Sequence, residues 1–366
     1  LVGAWLIWRL AIKKQLHIDG VGFAILGLAS TTLISLLLAA NWVDLVGFMV
    51  ASFYWIRLVL YLSLFKIAFD IKQEFLQTDF NKLLIGVGVA FAVLGLIQFV
   101  LFPDFSKYVQ HGWDPHYYRV LSTFFDPNFA GLFLVFGFLI VLARLYSNQS
   151  DVAEGMSDKP QVRFSTYAAL GVIGLALVLT FSRSTYLAFA LAVAVFSWFC
   201  DKRLLVAMLV LGLVVFAVVP RVRDRVVGAL EIDETAQLRL VDYSRTFEII
   251  RDHPWFGVGY NTFRYAQADY GYFRDQRGVN QSSGHAGAGA DKSFLFIWAT
   301  GGIFSLVSLL WMLGRLGYLG NKSRQPQKAL LWAVLTAVIV HAQFVNSLFY
   351  SPILAWLMIT YGLHND

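Results

Sequence analysis

Apolar runs and short polar connections alternate along most of this chain, and the runs have the length that a bilayer sets. A hydrocarbon core of about 30 Å takes about 20 residues of helix. Runs of that order lie near 21–39, 43–66, 83–102, 129–146, 165–182, 184–200, 204–220, 293–314 and 329–348, with shorter ones at 1–12 and 350–363. The pattern predicts eleven transmembrane helices and an all-α integral membrane protein. The chain opens on Leu1 within an apolar run, which reads as the remainder of a longer first segment. One long stretch, Arg221 to Lys292, breaks the pattern and divides the chain into helices over 1–220, a polar loop over 221–292 and C-terminal helices over 293–366.

Composition agrees with the patterning. Of the 366 residues 58% are hydrophobic and 14% charged, and the mean hydropathy is +0.63, too apolar for a soluble domain of this size. The single cysteine, Cys200, excludes an internal disulfide framework and a cysteine-built metal site. No phosphate-binding glycine loop, heptad pattern or His/Cys cluster with metal spacing is present, so nucleic-acid binding and nucleotide hydrolysis have no support, and no cofactor or metal is expected.

The short connections set the orientation. Lys13 and Lys14, Lys72 and Lys82, Arg144 to Arg163, Lys202 and Arg203, and Arg315 to Lys328 occupy every second one, which predicts that these are cytoplasmic. The loop 103–128, the tight turn at Arg183 and the loop 221–292 then face outward. The last is itself basic, but long loops cross regardless of charge. Loop 147–163 reads as a flexible inner linker.

Most of the candidate chemistry falls on the outward side. Within 221–292, Leu238, Val241, Phe247 and Ile250 are spaced to share one helical face, and His253-Pro254 stops that helix. Gly257 and Gly259 permit a sharp return, followed by the aromatic-rich stretch Tyr260 to Phe273, which suits sugar rings and equally the headgroup zone of a membrane. Arg183 is fixed in its turn, where a guanidinium either grips a phosphate through forked donors or snorkels to the interface. Loop 103–128 carries His111, Asp114, His116 and Arg119, and Asp126-Pro127-Asn128 is a natural start for the next helix. Arg57 and His341 interrupt apolar runs, where ionisable groups are costly and suggest function by default. Arg57 reads as snorkelling to the inner interface. His341, with Gln343 and Asn346, is the more suggestive of the two.

Four motifs in register resemble the O-antigen ligase and O-antigen polymerase superfamily. They are Thr180-Phe181-Ser182-Arg183; Arg119 with Asp126-Pro127-Asn128; Arg239 fourteen residues before His253-Pro254-Trp255-Phe256-Gly257-Val258-Gly259; and Phe294 to Ile303 around Thr300-Gly301-Gly302. The resemblance runs from about Arg119 to Leu309. It implies a bacterial inner-membrane glycosyltransferase, inverting and metal-independent, that takes a glycan from an undecaprenyl diphosphate carrier on the periplasmic face. The acceptor would be a glycan, a lipid A core or a protein. Arg183, Arg239 and Arg119 would hold the diphosphate, with Arg245, His253, Asp126, Asn128 and His341 as further substrate contacts.

The chain departs from the ligase pattern at the catalytic base. Ligases carry a His-Asn pair eleven residues before the first glycine of a Gly-x-x-Gly; counting back from Gly301 gives Ala290-Asp291, and Phe304 stands at the second glycine. Asp291 and His285 remain as candidate bases, and Gly289 to Phe294 looks more like the polymerase-type members. A transporter or flippase of lipid-linked glycans is the alternative, disfavoured by polar groups gathered at one face rather than at mid-membrane.

Overall fold

The computed structural model describes residues 19–111, 115–153, 160–228, 234–272 and 290–365. Within these segments the side chains of 109–111, 148–153, 160–163, 234–236, 238 and 239 lie outside the description, as do all of 1–18 and 273–289.

Among the described residues the chain is helical, with α1 Gly20–Ala39, α2 Leu45–Glu74, α3 Phe80–Leu101, α4 Pro127–Ala153, α5 Pro160–Val178, α6 Arg183–Phe199 and α7 Lys202–Val218. There follow α8 Pro220–Val227, α9 Glu234–Asp252, α10 Phe263–Asp269, α11 Ser293–Lys322, α12 Gln327–His341 and α13 Ser351–Leu363. Each of the ten apolar runs predicted among these residues is helical; the run 1–12 lies outside them. Among the described residues five helices are long and apolar enough to cross a membrane, and six if α7 and α8, bent by 103°, form one broken span. The remaining apolar helices, Phe164–Val178 of α5, Arg183–Phe199, Gln327–His341 and Ser351–Leu363, have 10–17 residues. The run 329–348 ends as helix at His341 and continues as a loop with a 3₁₀ turn at Ser347–Phe349.

Helix starts follow from local chemistry. Asp19 and Asp126 accept backbone N–H bonds from Gly22 at 2.7 Å and from Asn128 and Phe129 at 2.7 and 3.0 Å, and Ser182 accepts from Thr185. These oxygens satisfy donors that a first helical turn leaves free. Pro127, Pro160 and Pro220 stand at first positions, where a missing N–H costs nothing.

The contacts divide the chain into two compact units, one of 1–70, 234–318 and 342–362 and the other of 71–233, 319–341 and 363–366. In the second unit α4 is the central helix, almost wholly buried from Ala130 to Ala143. Around it pack α3, α5, α6 and α12, and α12 lies along α6. By contrast α7 buries none of its residues, and its exposed Val206, Leu209, Leu213 and Val218 suit hydrocarbon rather than water.

In the first unit the organising feature is a break in α11. Gly302 has φ 70° and ψ −176°, outside the helical region and open essentially to glycine alone. The break frees backbone groups on either side, and the segment after α9 takes them up. Val258 and Gly259 donate N–H bonds to the carbonyls of Ala299 and Thr300, both at 2.9 Å, and Ile303 donates to Pro254 at 2.9 Å. The Ser35 hydroxyl donates to the same Thr300 carbonyl at 2.6 Å. A Cβ on Gly302 would overlap the Trp255 carbonyl, and one on Gly257, at φ 64°, would press on the Thr300 backbone. The two glycine-bearing motifs are therefore the two halves of one joint.

Helix α9 forms where expected, and of the four residues read as one face Ile250 is buried and the side chain of Leu238 lies outside the description. Thr246, Ile249 and Ile250 are buried, whereas Val241 and Phe247 are exposed.

Candidate functional site

In the second unit the turn before α6 carries the site. Phe181, at φ 49°, holds the turn in the left-handed region, and Ser182 caps the helix that begins at Arg183. The strained turn is clamped from outside. Arg119 donates from Nε to the Thr180 carbonyl at 2.8 Å and from Nη2 to the Phe181 carbonyl at 3.1 Å. Arg221, the second residue of α8, lies over the Phe181 ring at 4.5 Å and donates to the carbonyls of Tyr117 and Tyr118 at 2.6 and 2.5 Å. Arg183 donates to the Gly228 carbonyl at 2.9 Å, just past α8.

Arg225, one helical turn beyond Arg221, completes the cluster and makes no hydrogen bond or ion pair to any described residue. Its field is felt by its neighbours. Burial, and then Arg225, hold Arg119 down at about 9, which still leaves it charged at neutral pH. Among the described residues the carboxylate of Asp126, which already caps α4, acts on Arg119 in the opposite sense. So much cationic charge around one turn suits an anion with several oxygens.

Behind the turn lies a buried polar network. The Ser182 hydroxyl donates to Asn128 Oδ1 at 2.7 Å and stands 3.2 Å from the Ser184 hydroxyl, which is 3.2 Å from Nε2 of His341. The Thr185 hydroxyl donates to Ser182 at 3.0 Å. His341 and Asn128, expected as substrate contacts, thus join through Ser182 and Ser184 in fixing the backbone that carries Arg183. His341 is completely buried at the end of α12.

The first unit holds the carboxylates. Asp242, on α9, accepts the backbone N–H of Asp291 at 3.2 Å. Burial raises its proton affinity, the Asp291 amide and Arg245 oppose the rise, the Asp291 charge adds to it, and the outcome is about 6. Beside the pair, the Lys292 ammonium lies 3.9 Å over the Tyr243 ring. Further along α9, Arg245 stacks on Tyr272 at 4.9 Å, the Tyr272 hydroxyl donates to Glu248 at 2.7 Å and that of Tyr270 to Asp252 at 2.8 Å. The two tyrosine rings, 5.6 Å apart, form a braced aromatic shelf.

Placement of the expected residues is accordingly mixed. Arg183, Arg119, Asp126, Asn128 and His341 fall in one neighbourhood of the second unit, and Asp291 and Arg245 on and beside α9 in the first. Arg239 lies on α9 with its side chain outside the description, and His285 lies outside the described residues. His253 is exposed at the end of α9. Arg57 is exposed and stacks on Tyr54 at 4.1 Å. Sequence reasoning missed Arg221, Arg225 and Asp242. The signal for the arginines was their spacing of four residues directly after Pro220, which puts both on one face of a helix starting there. Asp242 offered no signal beyond standing three residues after Arg239. Among the described residues no group of three His, Cys, Asp or Glu side chains is arranged to hold a metal ion.

The O-antigen ligase family model matches residues 168–310 of this chain. No curated protein matches it. The matched span contains Arg183, Arg221, Arg225, Arg239, Asp242, His253 to Gly259, Asp291 and Gly302, and leaves out His116, Arg119, Asp126, Asn128 and His341. The resemblance read from the sequence is thus shown for its last three motifs; the first, Arg119 with Asp126 to Asn128, precedes the matched residues.

Proposed function

We propose that this chain, similar to the O-antigen ligases over residues 168–310, is a membrane glycosyltransferase working on a lipid-linked glycan at the periplasmic face. The donor is a glycan on undecaprenyl diphosphate, and the acceptor is a second glycan, a lipid A core or a protein. The observation that carries this reading is the arginine cluster around the turn before α6, where Arg119 is charged and largely desolvated, Arg221 lies over the Phe181 ring and Arg183 is held to the Gly228 carbonyl.

The chemistry follows from those groups. An acceptor hydroxyl attacks the anomeric carbon, the new glycosidic C–O bond forms as the bond to the diphosphate oxygen breaks, and configuration inverts. Negative charge gathers on the departing diphosphate, where prearranged guanidinium groups stabilise it. The hydroxyl proton passes to a carboxylate. Within the first unit taken by itself, Asp242, poised near 6 and bound to the Asp291 amide, has the affinity a base needs at neutral pH, and Asp291 is its immediate partner. The tyrosine shelf beside Arg245 offers apolar ring faces to a sugar.

The test is a transfer assay on Arg183→Lys. Lysine keeps the charge but loses the planar fork. The reading requires a drop of at least about tenfold in turnover with folding retained. Wild-type turnover in that variant removes Arg183 from the diphosphate site.

A further inference from the structure

One group in the arginine cluster is unexplained by the reaction. His116 lies alongside Phe105, with its backbone carbonyl accepting from Phe105 N at 2.8 Å, and stands three residues before Arg119. Its Nε2 is buried and has no hydrogen-bond partner among the described residues. A buried, unpaired imidazole nitrogen costs free energy unless something that comes and goes completes it. The surroundings say what that is. Charges reach His116 from its own segment through Arg119 and from α8 through Arg225. Arg221 and Tyr186 lie beyond Arg119, and the Tyr186 hydroxyl is donated to the Val178 carbonyl. Among the described residues, Asp126 caps α4, and Asp104 accepts both the backbone N–H and the hydroxyl of Ser106.

We propose that His116 is a diphosphate ligand that takes up a proton as the diphosphate arrives, so that Nε2 becomes a donor to the bound anion. The inference rests on the assignment of the arginine cluster to a lipid-linked diphosphate. In the empty site burial, and then the charges of Arg119 and Arg225, hold His116 at about 4, so it is neutral at physiological pH. Two phosphate charges entering the cluster offset part of the guanidinium charge and, beside the ring, favour its protonated form. The bound state therefore holds the proton more tightly than the empty one. By linkage, affinity for the diphosphate strengthens as pH falls from the raised value of the bound state towards about 4, and flattens outside that window. Departure of the carrier after transfer reverses the uptake and returns the proton to solvent.

The probe is a water-soluble diester of diphosphoric acid, with a geranyl group on one phosphate and a single sugar on the other, whose two charges do not titrate near neutral pH. Its binding to the full chain in detergent is measured by calorimetry between pH 5 and 7.5, in pairs of buffers that differ in ionisation enthalpy. The wild-type protein is expected to take up a proton on binding, with affinity rising up to about tenfold per pH unit lost. His116→Gln should abolish the uptake and leave affinity flat with pH, still binding through the arginines; His116→Asn serves if the Gln variant melts early. Tight binding without proton uptake in the wild-type protein, or uptake that persists in both variants, overturns the role of His116 and leaves the diphosphate site standing. No binding by the wild-type protein overturns both.

Discussion

Arg119 holds the carbonyl of Phe181 at 3.1 Å and, with its other nitrogen, that of Thr180 at 2.8 Å, so a residue of one loop fixes the strained turn that presents Arg183. The clamp explains why arginine is needed there: two carbonyls separated by one residue match the fork of a guanidinium and not the single point of an ammonium. Arg119 is thereby a positioning residue as well as a source of charge. Replacing it with Lys should cost about 2 kcal/mol, the worth of a charge-assisted hydrogen bond to a buried carbonyl. The melting temperature in detergent checks this, and an unchanged value would show that the turn holds without the clamp.

The joint between α11 and the segment Pro254 to Gly259 makes a second demand. Gly302→Ala places a Cβ against the Trp255 carbonyl at a backbone angle that L residues avoid. The variant should lose about 3 kcal/mol or more, or fail to accumulate as folded protein. Thermal unfolding of the two proteins side by side decides it.

Asp242 should separate stability from activity. Its folded-state affinity, about 6, lies above the value of 3.8 of an unperturbed carboxyl, so the folded protein binds the extra proton. The contribution of Asp242 to stability is then fully present below about 4 and is lost as pH rises to about 6. Asp242→Asn removes that loss and should stabilise the protein at pH 7.5 by about 1 to 2 kcal/mol, once solvent screening of a partly exposed group is allowed for. The Asn oxygen still accepts the Asp291 amide, so folding is kept. Transfer should fall about a hundredfold or more, and in the wild-type protein kcat/KM should climb with pH and reach half its plateau near 6. A fully active Asn variant would assign the proton to another acceptor.

Orientation can be tested with two exposed positions. Gln77, in the connection after α2, is expected in the cytoplasm, and Asp269, at the end of α10, in the periplasm. In a Cys200→Ser background, an impermeant maleimide on intact spheroplasts should label Asp269→Cys and spare Gln77→Cys. The reverse pattern would place the arginine cluster on the cytoplasmic side.

Much of this was legible from the sequence because membranes impose simple rules. Apolar runs announce helices since backbone groups in hydrocarbon must be paired within the segment, and all ten runs among the described residues are helical. Span length was less legible: polar residues such as Gln343 and Asn346 end α12 before the hydropathy pattern does. The place of Arg183 in a tight turn was legible, because the turn carries no other strong charge. The roles of Asn128 and His341 were not, because a hydrogen-bond network linking residues 128, 182, 184 and 341 has no local spacing to betray it. Asp242 was hidden for a related reason. Its character comes from burial and from the Asp291 amide, 49 positions away, and neither is visible in the run of charges along α9.

The central claim is that the chain transfers glycan from a diphosphate carrier, and the most direct test is to supply the purified protein, in vesicles, with glycan-linked undecaprenyl diphosphate and an acceptor glycan. Nucleotide sugars are omitted and a metal chelator is present. The account predicts a lengthened or newly linked glycan together with an equal amount of released undecaprenyl diphosphate. Movement of intact glycan-lipid across the vesicle, with no new glycosidic bond and no free carrier, would contradict it.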